Sequence, residues 1–292
     1  MKNPKYVLVD GIRTRYFEAG DGAPIVLVHG GHYGTGSSAE DWELNFDELA
    51  RDFRVYALDK LGMGFTDNPG NDDGFVIGAQ VSHLRGFLDE VGLDSAHLVG
   101  HSRGGYPVTK VALTAPDRVR SLVVVDSSSV INPFNPVYNE WRAKAATLDS
   151  EQAARYLLRA NSFGDEHITD RRVAVEAKIM GLAKTREARQ RMQDGLFARF
   201  KEDLLARVKE MGEEIRAGRL TVPTLLVWGF EDPSATMERC GIPAMELFMS
   251  SVEDCEMHIL NHAGHPCFRE RPTAFDAVLR NFVDRYERLA VG

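Results

Sequence analysis

Apolar residues along the chain fall into two patterns. The first is a set of short unbroken runs: Pro24-Ile25-Val26-Leu27-Val28, Val55-Tyr56-Ala57-Leu58, Ala96-His97-Leu98-Val99 and Leu122-Val123-Val124-Val125. A run of this length without alternation marks a strand covered on both faces, as in a parallel sheet. Between the runs lie segments with helical spacing, about Asn45 to Arg51, Val76 to Val91 and Gly104 to Leu113. Strands alternating with helices predict βαβ crossovers and a doubly wound sheet. Ahead of them, Tyr6 to Asp10 and Ile12 to Glu18 read as two strands turning at Gly11, an antiparallel hairpin. The Leu122 run is therefore the sixth strand.

After Asp126 the pattern changes. Residues 133–218 show helical spacing, many Ala, Arg and Glu, and no buried strand. The sheet resumes with Thr224-Leu225-Leu226-Val227-Trp228. A last strand is expected near Glu256 to Leu260 and an amphipathic helix from about Pro272 to Leu289. The predicted architecture is α/β. Residues 1–132 and 219–292 form the core, a mostly parallel doubly wound sheet. Residues 133–218 form a helical cap inserted after the sixth strand.

Composition narrows the class. A chain of 292 residues, 43% hydrophobic and 27% charged, suits one large globular domain with an insertion. A net charge of -8 argues against nucleic acid as a partner and against anionic membranes. No apolar stretch approaches a signal-peptide core or a membrane span. Cys240, Cys255 and Cys267 are odd in number and form no CxxC pair, which fits a reducing cytoplasm. The expected partner is a small-molecule substrate, with a homodimer left open.

The candidate chemistry begins at Gly100-His101-Ser102-Arg103-Gly104-Gly105, between a buried strand and a helix. A serine in such a turn is pushed up on a strained backbone, and a helix N-terminus behind it favours negative charge. A serine hydroxyl needs a base within hydrogen-bond reach. In the order serine, acid, histidine, the candidates for the base are His167, His258, His262 and His265. His265 is preferred, in the loop Asn261-His262-Ala263-Gly264-His265-Pro266 after the last strand. His262 is expected beside it or at the surface. The acid is expected in Trp228-Gly229-Phe230-Glu231-Asp232-Pro233. Asp232 is preferred, Glu231 reads as a solvated loop charge, and Asp126 is held in reserve. An oxyanion needs two preset donors. The backbone N–H groups of Arg103 and of Gly31, in the turn His29-Gly30-Gly31-His32, are the candidates. No metal or cofactor is expected: no HExxH, no GK[ST] and no GxGxxG pattern accompanies these turns.

Together these residues resemble the α/β-hydrolase superfamily, and most finely the meta-cleavage-product hydrolases. The matching pieces are Val28-His29-Gly30-Gly31, the stretch Leu58 to Asp67, the GxSxGG turn, Val227-Trp228-Gly229 with Asp232, and Ala263-Gly264-His265. The resemblance implies cleavage of a carbon–carbon bond in a 2-hydroxy-6-oxo-hexa-2,4-dienoate made by aromatic ring fission. An ester, lactone or thioester hydrolase with the same triad is the alternative. His32, His101, Trp141, Phe197 and Pro266 are expected to contact substrate, with Phe163 and Phe200 as further aromatic candidates. The chain departs from the family at His101, Arg103 and Pro266. Where that family holds the substrate carboxylate with a cap arginine, Glu176 falls near the place, with Arg171 and Arg172 close in sequence. Arg103 reads either as a replacement clamp or as a solvent-facing side chain.

Overall fold

The computed structural model describes residues 1–291. Its sheet has eight strands: β1 Lys5–Val9, β2 Ile12–Ala19, β3 Pro24–Val28, β4 Arg54–Leu58, β5 Ala96–His101, β6 Val119–Val125, β7 Thr224–Gly229 and β8 Cys255–Leu260. They lie in the order β1-β2-β4-β3-β5-β6-β7-β8. The β1–β2 and β2–β4 pairs are antiparallel, and all other pairs are parallel. The chain passes from β3 to β4 on one side, then returns to place β5 on the other. The carboxyl ends of β3 and β5 thus flank a topological switch point, where open α/β sheets bind ligands.

Alternate residues of each unbroken run bury on opposite faces. Val26, Val28, Leu98, Leu122, Val124, Leu226 and Trp228 enter one apolar cluster, while Ile25, Leu27, Val99, Val123, Val125, Leu225 and Val227 enter the other. Three helices separate the first strands: α1 Glu43–Leu49, α2 Ile77–Glu90 and α3 Gly105–Thr114. Five lie between β6 and β7: α4 Val137–Ala145, α5 Ser150–Ala160, α6 Asp170–Met180, α7 Ala183–Arg191 and α8 Phe197–Arg216. The chain ends with α9 Ile242–Met249, α10 Cys267–Glu270 and α11 Pro272–Val291. Of these three, only α11 was expected from the sequence pattern. No helix among the described residues is long and apolar enough to cross a membrane.

Buried ion pairs fix the turns. Asp59, at the end of β4, accepts hydrogen bonds from Arg15 Nε (2.6 Å) and from the N–H groups of Ala39 (2.7 Å) and Phe65 (2.7 Å). Arg15 also donates to both oxygens of Glu40, at 2.8 and 2.5 Å. The stretch from Leu58 to Asp67 is thus a self-braced turn. A second set joins the inserted helices to the core. Arg172 of α6 pairs with Asp41 (2.5 Å) and with Glu176 (2.9 Å). Arg269 of α10 donates to Glu43 (3.0 Å) and to the carbonyls of Asp41 (2.8 Å) and His167 (3.2 Å).

Removing one partner of a buried pair leaves the other uncompensated. Asp59→Ala is therefore expected to cost about 3–5 kcal/mol. Urea unfolding of the variant beside the wild type measures it, and a loss below about 1 kcal/mol would contradict the bracing role.

Candidate active site

β5 ends at His101, and the chain turns at once through Ser102–Gly104 into α3. Ser102 has φ +52°, a left-handed value that a residue with a Cβ rarely adopts. The corner forms because its neighbours are glycines: a Cβ on Gly104 would overlap the carbonyls of Val28 and His29, and one on Gly100 would overlap Gly104. Ser127 holds the corner from below by donating to the Ser102 carbonyl (2.5 Å).

The loop after β8 returns His265 to this corner. Ser102 Oγ–H donates to His265 Nε2 at 2.8 Å, and His265 Nδ1–H donates to Asp232 Oδ2 at 2.6 Å. All three are buried. The other Asp232 oxygen accepts from Ser234 N–H (2.7 Å), Ser234 Oγ–H (3.0 Å) and Ala235 N–H (2.8 Å). A carboxylate so saturated cannot rotate away from the imidazole. His265 N–H donates to the carbonyl of Asn161, at the end of α5 (3.0 Å). Glu231 is not the solvated charge that was expected: it accepts from Ala263 N–H at 3.1 Å and so joins the Asp232 and His265 loops. His262 lies exposed and stacks on Phe163, ring centroids 5.4 Å apart. Phe163 is itself 47% exposed, which takes it out of the pocket wall.

Gly31 lies in the turn after β3 with φ +73°, and no protein acceptor takes its N–H among the described residues. Gly30, beside it, lies against Ser102: a Cβ there would be 2.9 Å from the Ser102 Cβ. The turn therefore passes as close to the serine as a chain can.

Three cationic side chains converge here. Arg142 of α4 donates to His32 Nε2 (2.7 Å), and His32 Nδ1–H donates to the Tyr33 carbonyl (2.9 Å). Burial, with Arg142 and Arg103 close by, pushes His32 well below its ordinary value, so it stays neutral. Arg103 donates to the Pro133 carbonyl (3.0 Å) and stacks over Phe134 (4.8 Å) and Phe200 (5.6 Å), while its Nη1 is buried without a partner among the described residues. It is not a solvent-facing side chain. Lys60 Nζ donates to the Gly31 carbonyl at 3.1 Å. None of the three forms an ion pair among the described residues, whereas Arg172 is neutralised by Asp41 and Glu176. Phe197 lies 6.0 Å from the His32 ring, as an apolar wall beside the charge.

Other expected substrate contacts resolve differently. His101 is buried, its Nε2–H donating to the His265 carbonyl (3.1 Å), so it supports the histidine loop rather than facing a ligand. Trp141 packs edge-on against Tyr138 (5.2 Å). Tyr138 is the nearer of the two to the triad, its hydroxyl pushed up to about 12 by burial and by Asp232. Pro266 caps α10, its carbonyl taking the N–H groups of Arg269 and Glu270. Lys60, Arg142 and Tyr138 were not singled out from sequence. Nothing in the local pattern of α4 marks Tyr138 and Arg142 as neighbours of the site.

Asp126, the reserve acid, is also here. It is fully buried with φ +43°, and Oδ1 accepts from Gly229 N–H (2.7 Å). Burial, reinforced by Asp232, raises its carboxyl well above the carboxylate range, which favours the neutral acid. The unfolded chain ionises at about 3.9. Wild-type stability therefore falls as pH rises above that value toward the folded one. Asp126→Asn keeps the acceptor and lacks the fall. Its Tm advantage over wild type is expected to widen between pH 5 and pH 8 in calorimetry, and a constant difference would count against a protonated Asp126.

Comparison with known proteins adds the lineage. The profile of the alpha/beta hydrolase fold family matches residues 23–268. A 2-hydroxy-6-oxo-6-(2'-aminophenyl)hexa-2,4-dienoic acid hydrolase of Metapseudomonas resinovorans is 27% identical, across 96% of this chain and 91% of its own. A 2-hydroxy-6-oxo-2,4-heptadienoate hydrolase of Pseudomonas putida is also 27% identical, across 96% and 95%. The solved structure of a serine hydrolase involved in carbazole degradation superimposes with a TM-score of 0.75 at 25% identity, across 97% and 98%. By its profile match and its fold, the chain belongs to the alpha/beta hydrolase family.

Proposed function

We propose that the protein is a serine hydrolase that cleaves the carbon–carbon bond of a 2-hydroxy-6-oxo-hexa-2,4-dienoate-type ring-fission product. The observation that carries this is the unbroken hydrogen-bond chain from Ser102 through His265 to Asp232. Three cations that form no ion pair among the described residues lie beside it. Two relatives with that activity match the chain nearly end to end. The three free cysteines fit a cytoplasmic enzyme.

In this scheme the dienol first ketonises. Ser102 Oγ then adds to the C6 carbonyl while His265 takes its proton. Asp232 holds the imidazole in the required tautomer and stabilises the imidazolium. The oxyanion on C6 sits between the N–H groups of Gly31 and Arg103, fixed in advance of the charge they meet. The C5–C6 bond breaks, and its electrons pass into the dienolate, which His265 protonates. Water, deprotonated by His265, then releases the acyl group as a carboxylic acid. The carboxylate of the substrate lies between Arg103 and Arg142, because a guanidinium pairs with carboxylate in two parallel hydrogen bonds. Phe134 and Phe200 back Arg103 and Phe197 lies beside His32, so apolar walls flank that carboxylate site. Residues 133–218 act as the cap that closes this space from water.

A substrate panel tests the reaction. Yellow dienoates should exceed p-nitrophenyl esters in kcat/KM by orders of magnitude, and the reverse order would make the protein an esterase. Ser102→Ala should abolish turnover, and Asp232→Asn should lower kcat by about 10⁴, as loss of the correct tautomer does elsewhere. Arg142→Ala should raise KM for the dienoate roughly tenfold or more, the worth of one charge-assisted hydrogen bond. It should leave neutral esters unaffected, and equal losses on both would remove Arg142 from the carboxylate site.

A further inference from the structure

Lys60 follows Asp59 at the end of β4 and is 2% exposed. Its backbone N–H donates to His29 Nε2 at 3.1 Å, and its ammonium donates to the Gly31 carbonyl at 3.1 Å. One residue therefore grips the turn after β3 at both ends. Gly31 is left-handed, at φ +73°. Its N–H shares a rigid peptide plane with the Gly30 carbonyl, which accepts from His29 Nδ1–H at 2.9 Å, and Lys60 holds the next peptide through the Gly31 carbonyl; the two permissive torsions of the glycine between them are thereby fixed.

An ammonium has three donors, and the structure gives this one a single acceptor and no carboxylate partner among the described residues. Burying a charge so poorly compensated opposes folding, and an apolar side chain of the same length would be tolerated better. Such a charge is explained by what it does at the site. We infer that Lys60 is a positioning residue: its ammonium pins the peptide after Gly31 while His29, itself held by the Lys60 backbone, pins the peptide before it, so that the Gly31 N–H keeps facing the developing oxyanion. It also adds positive potential on that side. The inference rests on Ser102 being the nucleophile.

The groups that face Lys60 are Arg103 after β5, Asp41 ahead of α1, and the neutral imidazoles of His29, His32 and His101. Burial, with repulsion from Arg103 and weaker attraction to Asp41, brings the ammonium down to about 7. The charge is then present below neutral pH and lost above it. A kcat/KM profile reports such a group in the free enzyme as an alkaline limb.

Lys60→Met keeps the stem and removes the charge, while Lys60→Gln keeps a donor without charge. Both are measured in the full chain, on whichever substrate the wild type turns over. Lys60→Met is expected to lower kcat about 10- to 100-fold, in the range of a lost oxyanion donor. KM should move less than about threefold, as for an interaction made mainly in the transition state. The alkaline limb near neutrality should vanish, and Lys60→Gln should recover part of kcat. The Tm of Lys60→Met should equal or exceed that of wild type, with a larger gain at pH 6 than at pH 9. The unfolded ammonium titrates near 10.4, so the burden of burying it falls as pH rises through the folded value. Unchanged kcat with the limb intact would overturn the inference. So would a fall in kcat matched by a fall in Tm, since that describes a structural lysine. Turnover surviving Ser102→Ala would defeat the nucleophile reading separately, whatever Lys60 does.

Discussion

The left-handed backbone at Ser102 is the constraint around which the site is arranged. A non-glycine residue held there costs about 1–3 kcal/mol and persists only where its surroundings over-determine it. Here they do so from several directions. Gly104 lies against the β3 carbonyls, Gly30 against the serine itself, and Ser127 ties the Ser102 carbonyl down. The corner projects the hydroxyl at the switch point of the sheet. The turn after β3, the loop after β7 and the loop after β8 all converge on it. Each contributes one kind of group: N–H donors, a carboxylate and an imidazole.

Buried charge is used in two ways. Arg15, Arg172 and Arg269 are each matched by carboxylates or carbonyls, and these sets brace turns or join inserted helices to the core. Lys60 and Arg103 are matched only by carbonyls, and the exposed Arg142 beside them only by a neutral imidazole. Burial, with repulsion from Arg142, lowers Arg103 to about 10. The fold is thus stabilised by the first set and strained by the second.

The parts of this arrangement that could be read from sequence are those governed by short-range rules. Strands covered on both faces give unbroken apolar runs, so the central strands were found to within a few residues. The nucleophile corner has glycines where backbones must touch, and the order of serine, acid and histidine narrowed the rest. Side chains that act across the fold were not legible. Whether His101 faces the ligand or the His265 loop depends on the packing of Trp42 and Phe268 around it. Arg142 and Tyr138 share a helix, and which of its side chains reach His32 and Asp232 depends on how that helix packs. Glu231 looked like a surface charge because its acceptor role needs Ala263, 32 residues away.

The histidine loop is sewn to the inserted helices as firmly as to the sheet. Asn161 takes the His265 N–H, and Glu270 collects the N–H groups of Phe163, Gly164 and Gly264. Any displacement of the segment after α5 would therefore be transmitted to the imidazole, because the two share a hydrogen bond at the backbone of the histidine itself.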